Sequence, residues 1–472
     1  MRLIQHLHSH AQQRPNAAAL WLGDQWINWS ELRSLTNEIT NRLLDLSPHG
    51  RVVTQFDNHF LAVIGTLAIQ NAGLCEVPLG PGKPPKPLPT ILAQTGATLH
   101  LTTVDMQRFF ERARNGSAKP NRCFNEPSPA SESLILWTSG TSASPRAVVL
   151  SWQALAANAA GKLSAAPQSE SDCRLTILPL WHAYARTCEL GTWLISGGQL
   201  AVSLGWEGLR SEALKIRPTL LNVVPSIASR ILEKASENDL PTSIQQLGLE
   251  RLRMLGCGGA PLSRQDYSAL QEAGITVIHG YGLTEAGPVV CSGTPSKGRP
   301  GTVGGPIPFT QIRLDPEGRL EVRGPGLMTG YLDDPASTKA CMQQDWLQTG
   351  DLASIADDGI VTILGRADDT IVLANGKKIQ PTEIESLVCQ LADVRHAVLW
   401  HDRKGDLVGI VECQRSTRSP ETLQRTLDAS VALLEKWKRP RRWVIRYGPF
   451  ETDEVTTKGT PRRQIVGPRY GE

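Results

Sequence analysis

Two hydrophobic periods alternate along this chain. From Ser30 to Leu46, the residues Leu32, Leu35, Ile39, Leu43 and Leu44 fall on one helical face, which predicts an amphipathic helix capped by Ser30. Before it, AALWLGDQWINW reads as a hairpin about Gly23-Asp24. RVVTQFDN, an apolar helix candidate at Leu61–Ala72 and CEVPLGP then run strand, helix, strand, the alternation of a doubly wound α/β layer. Pro81–Pro89 and Arg114–Ser133, rich in Pro, Ser, Lys and Asn, read as loops. Downstream, Trp152–Leu163 and Ile227–Ala235 are helix candidates. Leu175–Leu178, Pro218–Ser226, Arg253–Cys257 and Thr276–Ile278 are strand candidates. Gln311–Val322 alternates around Asp315-Pro316-Glu317-Gly318, and a second hairpin turns at Asp357-Asp358-Gly359.

The pattern restarts after Gly365-Arg366-Ala367-Asp368-Asp369. Thr370–Ala374 and Lys377–Gln380 flank an Asn375-Gly376 turn. A helix at Thr382–Leu391 carries Ile384, Leu387, Val388 and Leu391 on one stripe. Strands at Val394–His401, Leu407–Cys413 and Arg442–Ile445, with a helix near Pro420–Leu434, complete a small α/β unit. The expected division is 1–365 and 366–472, consistent with a length of 472 residues that exceeds one compact core.

The stretch LILWTSGTSASPRAVVLS, residues 134–151, places hydroxyls and a glycine between two apolar runs, with Arg146 close by. Thr138, Ser139, Gly140, Thr141 and Ser142 would offer hydroxyl and amide donors to a polyphosphate, and a guanidinium would neutralise its charge. A Ser/Thr-rich surface loop is the other reading, because the stretch is not the GxxxxGK[ST] pattern.

Composition narrows the class. Apolar residues make up 40% and charged residues 20%, ordinary for a globular protein, and a net charge of +3 implies no nucleic-acid partner. Residues 366–472 hold 19 Lys and Arg against 15 Asp and Glu, a mild basic excess that is either a solvated face or suited to anionic ligands. Nine cysteines without CxxC pairs argue for reduced thiols. MRLIQHLHSHAQQRP lacks the apolar core of a signal peptide, and no apolar run is long enough to span a membrane. A cytoplasmic protein is expected.

Four further blocks follow the 134–151 stretch in order: HGYGLTEAGP at 279–288, LEVRGPGLMTGYLDDP at 320–335, WLQTGDLA at 346–353 and GRADDTIVLANGKKIQPTEIE at 365–385. With it they resemble the adenylate-forming superfamily of acyl-CoA synthetases, aryl-acid ligases, luciferases and peptide-synthetase adenylation domains. The resemblance covers nearly the whole chain and is closest to the fatty-acyl-like branch of acyl-CoA synthetases. It implies a large N-terminal α/β region and a small mobile α/β domain that rotates about Asp368. It implies an acid–thiol ligase that uses ATP and Mg²⁺. A carboxylic acid, fatty or otherwise apolar, becomes an acyl-adenylate and then a thioester of coenzyme A or of a carrier-protein pantetheine.

By the same resemblance, Thr138–Ser142 and Arg146 hold the pyrophosphate, Thr284 the α-phosphate and Glu285 the Mg²⁺, for which a carboxylate oxygen beside phosphate oxygens is chemically apt. Tyr281-Gly282 and the turn Gly258-Gly259-Ala260-Pro261 lie by adenine, although the glycines equally suit a structural turn. Asp351 takes the ribose hydroxyls with Arg366 as a second contact, and His182, after Pro179-Leu180, stands at the acyl pocket. A structural histidine is the alternative there. Lys378 would face the site in the thiol-transfer pose, with a solvent-facing lysine as its competitor. No Asp occurs in Leu178–Leu204, which speaks against an α-amino acid substrate.

The chain departs from the family in two places. Where the family closes with GKxxR, this sequence has Gly459-Thr460-Pro461-Arg462-Arg463, so Thr460 replaces the catalytic lysine and Lys458 is the substitute candidate. Losing that charge should cost about 10²–10³ in rate. In the 134–151 stretch, Ala143, Arg146 and Ala147 stand for Gly, Lys and Gly, and a guanidinium fork is not an ammonium point charge. A family member that only binds nucleotide or acyl group, or performs thioester formation alone, is the alternative these departures raise.

Overall fold

The computed structural model describes the chain except residues 48, 83, 116–126, 139–144, 237–239, 374–375, 392, 414–418, 452 and 457–459. The fold is mixed α/β, as the alternation predicts. A nine-stranded sheet has its parallel centre in Met254–Cys257, Leu220–Val223, Cys173–Thr176 and Gln199–Val202. Thr276–Gly282, Val289–Ser292 and Gly305–Pro306 extend one side, and the hairpin Ala18–Trp21/Trp26–Asn28 ends the other. A six-stranded sheet runs in the order Gly330–Tyr331, Ala147–Ser151, Glu132–Trp137, Cys75–Leu79, Arg51–Gln55 and Leu99–Thr102. A smaller sheet is built on Trp346–Ile355, with Arg319–Arg323 on one side and Val361–Arg366 on the other.

The helix Phe60–Asn71, packed on the helices Trp29–Leu46 and Thr103–Asn115 and on the strand Cys75–Leu79, is buried on nearly every side, which its apolar run requires. The helix predicted from Ser30 begins one residue earlier, at Trp29, because Asn28 rather than Ser30 caps it. Asn28 Oδ1 accepts from Glu31 N while Glu31 Oε2 accepts from Asn28 N, the reciprocal box that a Ser30 cap would forgo. Helices at Ile4–Gln13, Thr103–Asn115 and Gly205–Ile216 had no counterpart in the pattern reading. Their apolar stripes are short and interrupted, and packing on neighbouring elements stabilises them.

After Arg366, the strands Val394–His401, Leu407–Cys413 and Arg442–Tyr447 form a three-stranded sheet that packs on Pro381–Val388 and Pro420–Ser430. The C-terminal helix Arg463–Tyr470 covers Trp400, whose indole leaves no room for a side chain at Gly467. No helix among the described residues is long and apolar enough to cross a membrane.

Candidate functional site

The strand Trp346–Ile355 positions the first cluster. Asp351 pairs in register with Arg366 on the adjacent strand, so both side chains rise from the same rung. Arg366 Nη1 donates to Asp351 Oδ1 at 3.2 Å and to Thr349 O at 2.9 Å. The Tyr281 hydroxyl donates to Asp351 Oδ2. Gly350 between them has φ +72°, and a Cβ there would sit 3.0 Å from Arg366 Nη2, so the backbone conformation and the arginine's passage both require glycine. Burial pushes the Asp351 carboxyl up, and the Tyr281 hydroxyl and Arg366 guanidinium pull it back only in part. Burial also drives the Tyr281 phenol upward, with Asp351 adding to it. The result is a fixed, acceptor-rich carboxylate whose lone pairs can still meet a vicinal diol.

A second cluster forms where sequence-distant segments meet. Gly330–Tyr331 adds to the edge of Ala147–Ser151, placing Tyr331 opposite Val148. The Tyr331 hydroxyl donates to Glu285 Oε1 at 2.8 Å, and the Arg146 guanidinium lies over the Tyr331 ring, 5.2 Å from its centroid. Burial raises the Tyr331 phenol, and the Glu285 carboxylate raises it further, so the proton stays on tyrosine. Arg146 and Thr138 close the strand ends on each other: Thr138 N donates to Arg146 O at 2.8 Å and Arg146 N to Thr138 Oγ1 at 3.2 Å. Among the described residues no group bonds the second oxygen of Glu285. Thr284 begins the short turn Thr284–Ala286 that presents this carboxylate. Ser139, Gly140, Thr141 and Ser142 lie outside the described residues, as does Lys458.

His182 sits at the start of a clamped strap. Asn58 holds Leu178 O at 3.0 Å and accepts from Leu180 N at 2.8 Å. Arg186 Nε donates to Leu180 O, and its two terminal nitrogens reach the Glu76 carboxylate, each at 2.7 Å. His182, half-buried, then leads into Ala183–Ala185 and a π-helical turn, Arg186–Gly191, of the kind often kept at functional sites. Its neighbour Trp181 lies so close over Gly80 that a Cβ there would be 2.8 Å from the indole Nε1.

One face of the nine-stranded sheet beneath this strap is unusually bare. Register places Asn222, Gly256, Ile278, Gly280 and Ser292 on that face. The Asn222 amide lies over Gly256 and the Tyr184 ring over Gly258, where a Cβ would lie 3.2 Å from Tyr184 Cζ. Above Gly280 a Cβ would meet only backbone of the next strand, Cys291 O at 3.0 Å and Ser292 Cα at 3.8 Å. The face therefore has a slot over Gly280, with Tyr184 on one side and Ser292 on the other.

The Gly258-Gly259-Ala260-Pro261 turn is fastened by His279, whose Nδ1 lies 2.8 Å from Thr302 O and whose Nε2 accepts from Leu262 N at 3.4 Å. Gly259 has φ +84°, and Gly282 is exposed. Lys378 is exposed on the two-stranded ladder Ile371–Val372/Lys378–Ile379 and is not among the hydrogen-bonded residues of either cluster. Thr460 is also exposed, bonded to Thr456 within its own loop. Thr349, Tyr331, Tyr184, Arg186 and His279 contact the candidate residues and were not singled out by sequence reasoning. Tyr331 stood in a quoted block, and nothing in its spacing announced a partner 46 residues away.

A family model described as AMP-binding enzyme matches residues 7–332. Feruloyl-CoA synthase of Amycolatopsis sp is 26% identical over 403 residues, 80% of each chain. A probable CoA ligase of Humulus lupulus is 30% identical over 293 residues, 58% of this chain and 54% of that protein. The chain therefore spans about half the length of the Humulus protein. Among solved structures, O-succinylbenzoate Coenzyme A synthetase of Bacillus subtilis in complex with AMP superposes with a TM-score of 0.82 at 20% identity, covering 98% of this chain and 97% of that one. An anthranilate CoA ligase in complex with anthranoyl-AMP gives 0.86 at 19% identity, covering 100% and 97%.

Proposed function

The chain belongs to the AMP-binding enzyme family, and we propose that it is an AMP-forming acid–thiol ligase. A substrate carboxylate oxygen attacks the α-phosphorus of ATP, the bond to pyrophosphate breaks, and an acyl-adenylate forms. The sulfur of a pantetheine thiol then attacks the acyl carbon, AMP departs, and the thiol proton is released. The observation that carries this reading is the meeting of Arg146, Tyr331 and Glu285, three segments that a polyphosphate with its cation would need in one place. Names of the relatives support the class: a feruloyl-CoA synthase and 2-succinylbenzoate–CoA ligases are among them.

Glu285 fits a Mg²⁺ site, because a hard cation is held by one carboxylate and substrate phosphates, and this carboxylate has an oxygen to give. The cation would neutralise charge on the phosphates. Arg146 would hold the pyrophosphate side with Thr138 and the adjoining loop. Asp351, with Arg366 and Tyr281, would take the ribose diol, and the Gly258–Pro261 turn the adenine. His182 and Tyr184 would border the acyl group. Tyr184, Val289 and Ile307 give that side apolar walls, which favours an acid with an apolar body. Residues 366–472 are proposed to swivel about Asp368, bringing Lys378 to the site for the thiol step. Eight described cysteines without disulfide partners support a cytoplasmic setting. The acceptor is coenzyme A or a carrier-protein pantetheine arm.

The test is pyrophosphate release with Mg²⁺, ATP and a carboxylic-acid panel, run on the native chain and on Thr460→Lys. Acid-dependent release from the native chain, rising about 10²-fold in Thr460→Lys, is expected. Folded protein with no acid-dependent release from either form would overturn the ligase reading.

A further inference from the structure

We propose that Lys162 recognises a second anionic group, a carboxylate, carried on the acid at the end remote from the one that is activated. The proposal rests on the ligase reading and narrows its substrate to a dicarboxylic acid with an apolar body.

Lys162 projects from the helix Trp152–Ala165 and is 6% exposed. Its Nζ donates to Ser292 Oγ at 2.8 Å, and Ser292 in turn donates to Gly293 O at 2.9 Å. An ammonium has three donors. Among the described residues, Lys162 uses one of them, on a neutral hydroxyl, and no carboxylate pairs with it. The groups near it do not supply a counterion: burial pushes the Cys188 thiol up to about 12, so it stays neutral, Arg174 repels the ammonium, and the Glu189 carboxylate is already the partner of Arg174. A buried ammonium without a counterion is costly, and it is retained as a cation when an anion meets it and is otherwise driven toward the neutral amine.

The slot over Gly280 shows where that something would come from. Ser292 stands directly opposite Gly280 on the bare face, so the Lys162–Ser292 pair forms one wall of the slot whose other wall is Tyr184. Cys188, Val289 and Ile307 pack around Tyr184 at the same end and are apolar. Tyr281, the residue after Gly280, reaches Asp351 on the nucleotide side. An acid lying in the slot would thus have its reactive carboxylate toward the nucleotide cluster and its far end at Lys162. Burial lowers the Lys162 ammonium's pKa, and an incoming carboxylate would reverse that.

The experiment compares α,ω-dicarboxylic acids with monocarboxylic acids of matched length and ring content. Two readouts are taken: ligand-induced thermal stabilisation without ATP, and pyrophosphate release with Mg²⁺ and ATP. The native chain should prefer diacids by about 10- to 100-fold. Lys162→Met, which keeps the side-chain length and removes the buried charge, should abolish or invert that preference while monoacids bind as before. Ser292→Ala should weaken it and is read in place of Lys162→Met if the latter does not fold. Equal diacid preference in native and variant chains, or none in the native chain, overturns the proposal. Lys162-dependent diacid binding without pyrophosphate release from the native chain or from Thr460→Lys would sink the ligase reading and keep this one. Release with an unchanged preference in Lys162→Met would do the reverse.

Discussion

Tyr331 holds together two groups that sequence places 139 residues apart, Arg146 and Glu285. Its hydroxyl fixes one oxygen of the carboxylate, and its ring seats the guanidinium. In Tyr331→Phe the ring remains and the hydrogen bond is lost, so Arg146 keeps its seat while Glu285 is freed to rotate. The expected outcome is about a 10-fold higher Mg²⁺ requirement for pyrophosphate release with little change in thermal stability, read from Mg²⁺ titrations. A second residue carries strain with no visible return: Phe309 has φ +68° and is 72% exposed. A bulky side chain in left-handed backbone costs about 1–2 kcal/mol, partly recovered by glycine's looser unfolded state. Phe309→Gly should therefore raise stability by about 0.5–1 kcal/mol in urea unfolding, at unchanged activity. The fastened turn at His279 and the bare face at Gly280 share one lesson at this scale. The residues that shape the site are legible as letters, but their partners are set by strand register.

At the scale of elements, the loop joining Trp152–Ala165 to the strand Cys173–Thr176 is tied down by Asp172. Arg253 Nε and Nη2 donate to its carboxylate at 2.7 and 2.6 Å, Thr219 Oγ1 at 2.8 Å and Ser169 N at 2.8 Å. Burial alone would raise this carboxyl, but the Arg253, Ser169 and Thr219 hydrogen bonds outweigh it and hold the group below the usual range. A depressed carboxyl contributes stability that is whole above its unfolded pKa of about 3.9 and drains as pH falls through the folded value. Asp172→Asn should cost on the order of 1 kcal/mol at neutral pH, Arg253 being 46% exposed, and the difference from native should shrink as pH falls below about 3.9 toward the depressed folded value. Equilibrium unfolding at stepped pH measures both. Element existence was largely visible in the pattern: the hairpin at 18–28, the apolar helix near 61–72 and the strand 394–401 all lie within a residue or two of expectation. The π-helical turn Arg186–Gly191 was not, because the residues 183–190 carry no pattern that separates it from an ordinary helix, and Arg186 meets Leu180 O and Glu76 only in the folded chain.

For the whole molecule, the buried residues after Arg366 form clusters of their own. Ile371, Ile384, Val394, Leu423 and Trp443 share one, and Val398, Ile410, Phe450 and Val466 share another, and neither includes a residue before 371. Two cores joined near Asp368 should unfold separately. Calorimetry is expected to show two transitions, with ATP and Mg²⁺ raising the one that belongs to residues 1–365; a single cooperative transition insensitive to nucleotide would contradict the proposed division.

The sequence by itself determined the class of fold, the order of most strands and several of the helices, and the resemblance to the family. It also supplied most of the letters of the proposed nucleotide side, Thr138, Arg146, Tyr281, Glu285, Asp351 and Arg366, because those blocks are local and keep their spacing. Tertiary structure alone decided which of them touch. The Asp351–Arg366 rung, the Tyr331 bridge and the slot over Gly280 all depend on strand pairings between segments far apart in the chain. Hydrophobic period fixes which face a residue takes along its own strand, but not which neighbour that strand finds. For the same reason the burial of Lys162 is not legible in the sequence of its helix and comes only from the packing around it.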